Sequence, residues 1–351
     1  MSDVSPRGGA IQTVLGPINP SDTGRVMMHE HVLCDVTPPA LAALGLPRVE
    51  ITLENVHDVR FNWTGHYGNH ILDDCALMVE ELIDYRRAGG GTLVDLTIRG
   101  ISPDPAGLAE ISRASGVNIV AGTGYYITEF CGSELAGTGT EDMATRMVAD
   151  LRDGFDGLDI KAGIIGEIGV SDPWHPDEKR AMTAAVIAQQ ETGAAITVHP
   201  GRDPSSPLAI IRHLRAEGAD IERVIIGHLD RTFTNPNQAL ELAETGCVLE
   251  WDFFGIESSY YPFSDFDMPN DAIRLGMIMA LIERGLTNQI LMSHDICTHT
   301  RLRRGGGHGY GHILTGVVPV MRRKGLSEGT LSNILEATPQ RLLTKRQNGF
   351  N

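Results

Sequence analysis

Eight short apolar runs alternate with amphipathic stretches along this chain, and that alternation constrains the fold more than any other feature. The runs are 25–28, 92–97, 118–126, 162–169, 194–200, 223–230, 247–254 and 289–295. Helical periodicity is expected between them at 75–88, 105–115, 142–153, 177–192, 205–217, 237–245 and 271–284, then at 311–323 and 326–336 after the eighth run. The runs are continuously apolar rather than alternating, which suits parallel strands covered by helices on their outer side. Gly89, Gly193, Gly218, Gly246 and Gly285 each follow a helical stretch, as helix stops do. Eight strand–helix units predict an α/β fold of the (β/α)8 TIM-barrel type, in one domain over residues 1–351. A doubly wound open sheet is the competing arrangement, and the absence of GxGxxG after the first strand disfavours it.

Three segments exceed the minimal barrel. Residues 2–22 read as an N-terminal hairpin able to cover the barrel bottom, and 37–74 as a long loop between the first strand and its helix. Residues 255–269, carrying Tyr260, Tyr261, Phe263 and Phe266, read as a second extended loop able to act as a lid. Long loops in compact domains usually serve function.

The net charge of −16 argues against nucleic acid or an anionic membrane as partner, because both need a basic surface. No apolar run approaches the roughly 18 residues that cross a bilayer, and residues 1–6 lack the order of a secretion signal. Five scattered cysteines without a CxxC pair suggest neither a disulfide framework nor a zinc ribbon. A cytoplasmic protein is expected, with a small-molecule substrate and a homodimeric assembly.

The chemistry lies where histidines and carboxylates fall. His29 and His31 flank Glu30 at the end of the first strand, and residues two apart on a strand face the same side. Both imidazoles can therefore face the barrel axis while Glu30 points away. Glu167 ends the fourth strand, His199 the fifth, His228 the sixth and Asp295 the eighth. All lie at strand C-termini, the face that carries the active sites of barrel enzymes. One histidine at a strand end is ordinarily a packed, hydrogen-bonded residue. Six donors in phase on five strands are the donor set of a catalytic metal site. Two divalent cations are expected, Zn2+ first, with Mn2+, Co2+ or Fe2+ as alternatives. Two such ions about 3.5–4 Å apart can share a hydroxide that attacks a carbonyl carbon or phosphorus. Asp230, two residues past His228, would relay a proton outward or orient a ligand histidine; the sequence leaves both roles open.

At these residues the sequence resembles the phosphotriesterase family of the amidohydrolase superfamily. The matching runs are IQTVLGPI (11–18), MMHEHVL (27–33), NIVAGTGYY (118–126), KAGIIGEIG (161–169), ITVHPGR (196–202), VIIGHLD (224–230), QILMSHD (289–295) and GGHGYGHIL (306–314). The resemblance implies that His29, His31 and Asp295 hold the more buried metal, and His199 and His228 the more exposed one. It implies that Asp295 also takes the proton of the bridging hydroxide, with Asp230 behind the ligands. Many members bridge the metals with a carbamylated lysine after the AGII run; here Gly166 and Glu167 follow it and Lys161 precedes it. Glu167 is therefore the expected bridge, as in the glutamate-bridged branch, and its shorter arm requires a local backbone shift. Tyr125 or Tyr126 and Arg274 match residues beside the substrate in lactonase-like members.

The expected reaction is hydrolysis of a carboxylic ester, lactone or amide. Phosphotriester hydrolysis and a non-catalytic, metal-containing binding barrel are the alternatives. A metal-dependent aldolase or isomerase would want a Schiff-base lysine or a phosphate loop. The nearest feature is Arg301, Arg303, Arg304 and a glycine run, which suit an anionic substrate group or a hinged loop.

Overall fold

The structure, a computed structural model, describes residues 9–62, 65–257, 261 and 267–346. Eight parallel strands lie side by side in chain order: β1 (Arg25–Glu30), β2 (Gly90–Asp95), β3 (Asn118–Thr123), β4 (Ile164–Gly169), β5 (Ile196–His199), β6 (Val224–Ile226), β7 (Val248–Trp251) and β8 (Ile290–Met292). Adjacent members pair by parallel ladders from β1 to β8. The ends meet by another device. The Asp295 N–H donates to the His29 carbonyl at 3.1 Å, and the His29 N–H donates to Ser293 Oγ at 3.0 Å. The result is the (β/α)8 barrel expected from the alternation.

Helices α1 (Cys75–Arg87), α2 (Pro105–Ser115), α3 (Thr140–Arg152), α4 (Pro176–Thr192), α5 (Ser206–Ala216), α6 (Pro236–Ala243), α7 (Asp271–Glu283) and α8 (Val318–Arg323) surround it. Their starts are chemically explicit. Asp74 and Asp104 accept from the third helical N–H of α1 and α2, while His175 with Glu178 and Asn235 with Gln238 form reciprocal capping boxes on α4 and α6. Such caps contribute about 0.5–2 kcal/mol each. Their effect on function is to fix where each strand-to-helix loop ends.

Strand alternation sorts the apolar side chains into two layers. Val26, Met28, Val94, Leu96, Val120, Ile164, Ile225, Val248 and Leu291 fill the barrel interior, and Ile11, Leu342 and Leu343 pack against them. The antiparallel pair Ile11–Thr13 and Gly16–Ile18 forms the expected hairpin, and Ile11 bridges to Thr344 beneath the barrel. Residues 2–8 of the expected hairpin segment lie outside the described residues. The bottom is plugged, so chemistry is confined to the opposite mouth.

Two expectations are revised. The segment 37–74 is not structureless: it holds the helices Pro39–Ala42 and Val56–Phe61, and Ile71–Leu72 pairs antiparallel with Cys34–Asp35. Helical propensity in short pieces, stapled by that pair, replaces the long open loop. Strands β6 and β8 are shorter than their apolar runs suggested, ending at Ile226 and Met292. His228 and Asp295 lie just beyond them with φ of 53° and 49°, a left-handed backbone that ends the two-residue alternation. Of the second extended loop, Tyr260, Phe263 and Phe266 lie outside the described residues.

Candidate metal centre

His29 and His31, two apart at the end of β1, share a side, and a register irregularity between Met27 and Glu30 breaks the phase of Val26 and Met28 so that both histidines turn to the mouth. Their ring centroids are 5.7 Å apart and both are buried at the mouth. Glu167, on β4, stands opposite. Its Oε1 lies 3.4 Å from His31 Nε2, while its Oε2 lies 3.3 Å from His29 Nε2, 3.0 Å from His199 Nδ1 and 3.2 Å from His228 Nε2. Asp295 Oδ1 is 3.1 Å from His31 Nε2 and 3.8 Å from His29 Nε2. The six expected ligands thus converge, and the two oxygens of Glu167 face different histidines. The backbone shift that its short arm requires coincides with an irregular β4–β5 register between Ile165 and Ile168. Gly166 has a φ of 109°, and a Cβ there would fall 2.1 Å from the Thr197 carbonyl. Lys161 sits at the far end of the run and donates to the Arg152 carbonyl, away from the cluster.

The electrostatics suit a cation. Burial opposes ionisation of Glu167, but the charges of His29 and His199 and hydrogen bonds from His199 and His228 outweigh it and hold the carboxyl well below its usual range. Burial likewise opposes protonation of His31, yet Asp295 and Glu167 raise it to about 9. Burial and the His228 charge push His199 well below the ordinary imidazole value. Protons and metal ions compete for the same lone pairs. Both ring nitrogens of His29 are fully buried and lack a well-aligned hydrogen bond among the described residues, with the Glu167 carboxylate 3.3 Å from Nε2 and the Asp252 carboxylate 3.0 Å from Nδ1. Groups His29/His31/Glu167 and Glu167/His199/His228 each bring their ligand atoms within 4.8 Å of one another. Histidine nitrogens and carboxylate oxygens so grouped are the donors that divalent metal ions take.

Carboxylates behind the ligands fix the ring orientations. Asp252, directly after β7, places Oδ1 2.9 Å from His228 Nδ1 and Oδ2 3.0 Å from His29 Nδ1. Both rings are thereby turned so that Nε2 faces Glu167. Gly227 makes room: a Cβ there would come within 2.8 Å of Asp252 Oδ2 and 3.4 Å of His29 Nδ1. Burial pushes the carboxyl of Glu250, 3.9 Å from His29 Nδ1, well above the usual carboxyl range. His31 Nδ1 meets Thr97 Oγ1 at 3.0 Å. Neither Asp252 nor Glu250 was singled out from sequence, although both lie in the seventh apolar run; a carboxylate ending a buried strand was the available signal.

Glu30 points away from the axis and into the seam between β8 and β1. It accepts from the Ser293 hydroxyl at 2.8 Å, the His294 N–H at 2.9 Å and the Ile296 N–H at 3.0 Å, with His294 Nδ1 at 2.7 Å.

Asp230 takes the second of its two expected places, behind the ligands. Beyond β6 the chain enters a 3-10 turn, Leu229–Arg231, so Asp230 does not share the His228 face. Its carboxylate pairs with Arg274 and accepts the Asp252 N–H at 2.8 Å, leaving it behind the ligands rather than on an outward proton path. Arg274 is fully buried between Asp230, Asp271 and the Ile256 carbonyl. Tyr125 is also buried, its hydroxyl near Arg146 and its ring beneath Arg99. Tyr126 alone of that pair meets the cluster, its hydroxyl 3.3 Å from His199 Nδ1. Arg303 and Arg304 pair with acids on α1, whereas Arg301 donates to the Asp295 carbonyl. Arg301 also lines a cavity of about 530 Å³ with His57, Arg60, Tyr261, Met268 and His308.

Comparison with known proteins agrees with this geometry. The Phosphotriesterase family model matches residues 9–343. An N-acetyltaurine hydrolase of Bos taurus is 39% identical over 347 residues, covering 97% of this chain and 99% of that protein. The crystal structure of a resiniferatoxin-binding protein from Rhodobacter sphaeroides superposes with a TM-score of 0.89 at 32% identity, covering 98% of both chains. That of a phosphotriesterase homology protein from Escherichia coli, complexed with phosphate in its active site, gives 0.77 at 28% identity, covering 92% of this chain and 99% of that one. A barrel whose strand ends gather four histidines and two carboxylates, matched along nearly its whole length, belongs to the phosphotriesterase family of (β/α)8-barrel hydrolases.

Proposed function

We propose that the chain is a two-metal hydrolase of carboxylic acid derivatives and that an amide is its preferred substrate. The observation that carries this reading is the place of Glu167 between both histidine groups, with Oε1 toward His31 and Oε2 toward His29, His199 and His228. A carboxylate so placed is shaped to be shared by two cations. His29, His31 and Asp295 would complete one site and His199 and His228 the other, with zinc the first choice for this donor set. Bound there, the ions would acidify water and polarise the carbonyl under attack.

The chain's own groups supply the rest. Asp295, next to His31 and at the cavity end marked by Arg301, accepts the proton of the attacking water at a carboxylate oxygen and delivers it to the leaving nitrogen. Asp252 holds His29 and His228 so that their Nε2 atoms stay turned inward. The Tyr126 hydroxyl, beside His199, is positioned to donate to the substrate carbonyl oxygen. The cavity lined by Arg301, near Asp295, is of a size that suits a small molecule. The preference for an amide follows the name of the bovine relative, since barrel and site alone allow ester, lactone and phosphotriester hydrolysis as well.

The test is a hydrolysis screen with the zinc- or manganese-loaded protein across N-acyl amides, lactones, carboxylic esters and phosphotriesters. Cleavage of N-acyl amides at the highest kcat/KM is expected. Cleavage of phosphotriesters alone, or of nothing at all, would refute the reading.

A further inference from the structure

The GGHGYGHIL run (306–314), which follows β8, supplies none of the groups given a chemical role above, yet it reaches both sides of the barrel seam. Tyr310 is fully buried and donates its hydroxyl to the His31 carbonyl at 2.6 Å. The Ile313 N–H donates to His294 Nε2 at 3.1 Å, and the His308 ring stacks against His294 with centroids 5.5 Å apart. The Gly309 N–H donates to the Arg301 carbonyl at 2.9 Å, and Arg301 in turn donates to the Asp295 carbonyl. One segment therefore braces His31 on one side and the surroundings of Asp295 on the other.

These contacts fall where the strand ladder has run out. β1 ends at Glu30 and β8 at Met292, so His31 and Asp295 both lie past their strands. Their side chains nonetheless meet, with His31 Nε2 3.1 Å from Asp295 Oδ1. The peptide unit joining His31 to Val32 is gripped at both of its polar ends. Asp95 Oδ2 accepts the Val32 N–H at 2.6 Å, and the Tyr310 hydroxyl donates to the His31 carbonyl.

The phenol is a dependable donor. Burial and the charges of Glu30 and Glu81 hold it well above its ordinary range, so it keeps its proton. Tyr310 also borders a cavity of about 400 Å³ with Glu81, Tyr85 and Thr315, which leaves the hydroxyl contact a large share in fixing the ring. Tyr85 offers a comparison. It is equally buried, and its hydroxyl donates to the Arg25 and Thr92 carbonyls at 3.0 and 2.9 Å, at the end of β1 remote from the ligands.

We propose that Tyr310 is a positioning residue for the cation assigned to His29, His31 and Asp295: its hydroxyl, through the His31 carbonyl, sets where the His31 ring stands relative to Asp295. This rests on the two-metal reading of the centre. By linkage, a cation bound there steadies the segment carrying Tyr310 as much as Tyr310 favours the cation.

The test titrates the metal-free full chain with Co2+, whose visible absorption reports the donors around each ion. The wild type is expected to take up two ions. In Tyr310→Phe one of them is expected to bind about tenfold to a hundredfold more weakly, with a changed absorption band, while the other is unaffected. Tyr85→Phe loses hydrogen bonds of the same kind and is expected to bind both ions as the wild type does. Amide hydrogen exchange of the wild type gives an independent reading: Co2+ is expected to slow exchange in 306–314 together with 28–33.

The same loss of affinity in Tyr85→Phe overturns the proposal, because stability alone would then account for it. If Tyr310→Phe does not fold, protection of 28–33 without 306–314 overturns it equally. A wild type that binds no divalent ion sinks the two-metal reading and this proposal with it. Two ions held alike by the wild type and Tyr310→Phe sink this proposal alone.

Discussion

Asp252 grips His228 at two points: its Oδ1 lies 2.9 Å from the ring Nδ1, and its Oδ2 accepts the main-chain N–H at 2.8 Å. Ring and backbone of one metal-ligand candidate are thus set by a single carboxylate, which also faces His29. Asp252→Ala should weaken metal binding about tenfold to a hundredfold, read by competition with a chelating dye. Unchanged affinity would show that the rings orient without it.

Asp295→Asn keeps size and backbone but cannot take a proton. The expected loss in kcat is about a hundredfold to ten-thousandfold, with the melting temperature of the metal-loaded protein kept within a few degrees. A variant that retains full turnover would remove Asp295 from the chemistry.

Glu167→Ala should lose stoichiometric metal, because both proposed sites draw on that carboxylate. Elemental analysis after dialysis is the readout. Two tightly held metals per chain in the variant would place the bridge elsewhere. Metal binding by the wild type should also proceed without carbon dioxide, since no lysine needs carbamylation at this position.

Chelator treatment should abolish hydrolysis, with recovery on adding Zn2+, Mn2+ or Co2+, followed in one continuous assay. Full activity in protein shown to be metal-free would end the two-metal mechanism.

Arg274→Met removes the cationic partner of the buried Asp230 and of Asp271 and should cost about 3–5 kcal/mol in denaturant unfolding. Asp230→Leu combined with Arg274→Met should recover much of that loss. A large fall in kcat for Asp230→Asn at unchanged stability would instead restore the proton-relay role that its geometry speaks against.

The barrel and the converging ligands were legible because both rest on periodicity. Alternation puts His29 and His31 on one side with Glu30 on the other, although the irregular register after Met27 decides which side is the axis, and apolar runs end where the ligands begin. What escaped lies past the strand ends. The left-handed backbone at His228 and the 3-10 turn after it reverse the side on which Asp230 and Arg231 emerge, and strand phase cannot foresee that. Asp252 escaped for another reason. Its task is defined by two histidines that arrive from other strands, and nothing in its own neighbours in sequence announces them.

The seam between β8 and β1 has a consequence for how the protein is made. Glu30 and its partners Ser293, His294 and Ile296 are separated by more than 260 positions. During synthesis from the N-terminus, His29 and His31 emerge early and wait for Asp295 until nearly the whole chain has been translated. The circle cannot close, nor the first cation gain its aspartate, before that last strand arrives. Completion of the proposed metal site is therefore a late event in the protein's biogenesis, and a chain truncated before β8 would present two of its histidines on an open, edge-exposed sheet.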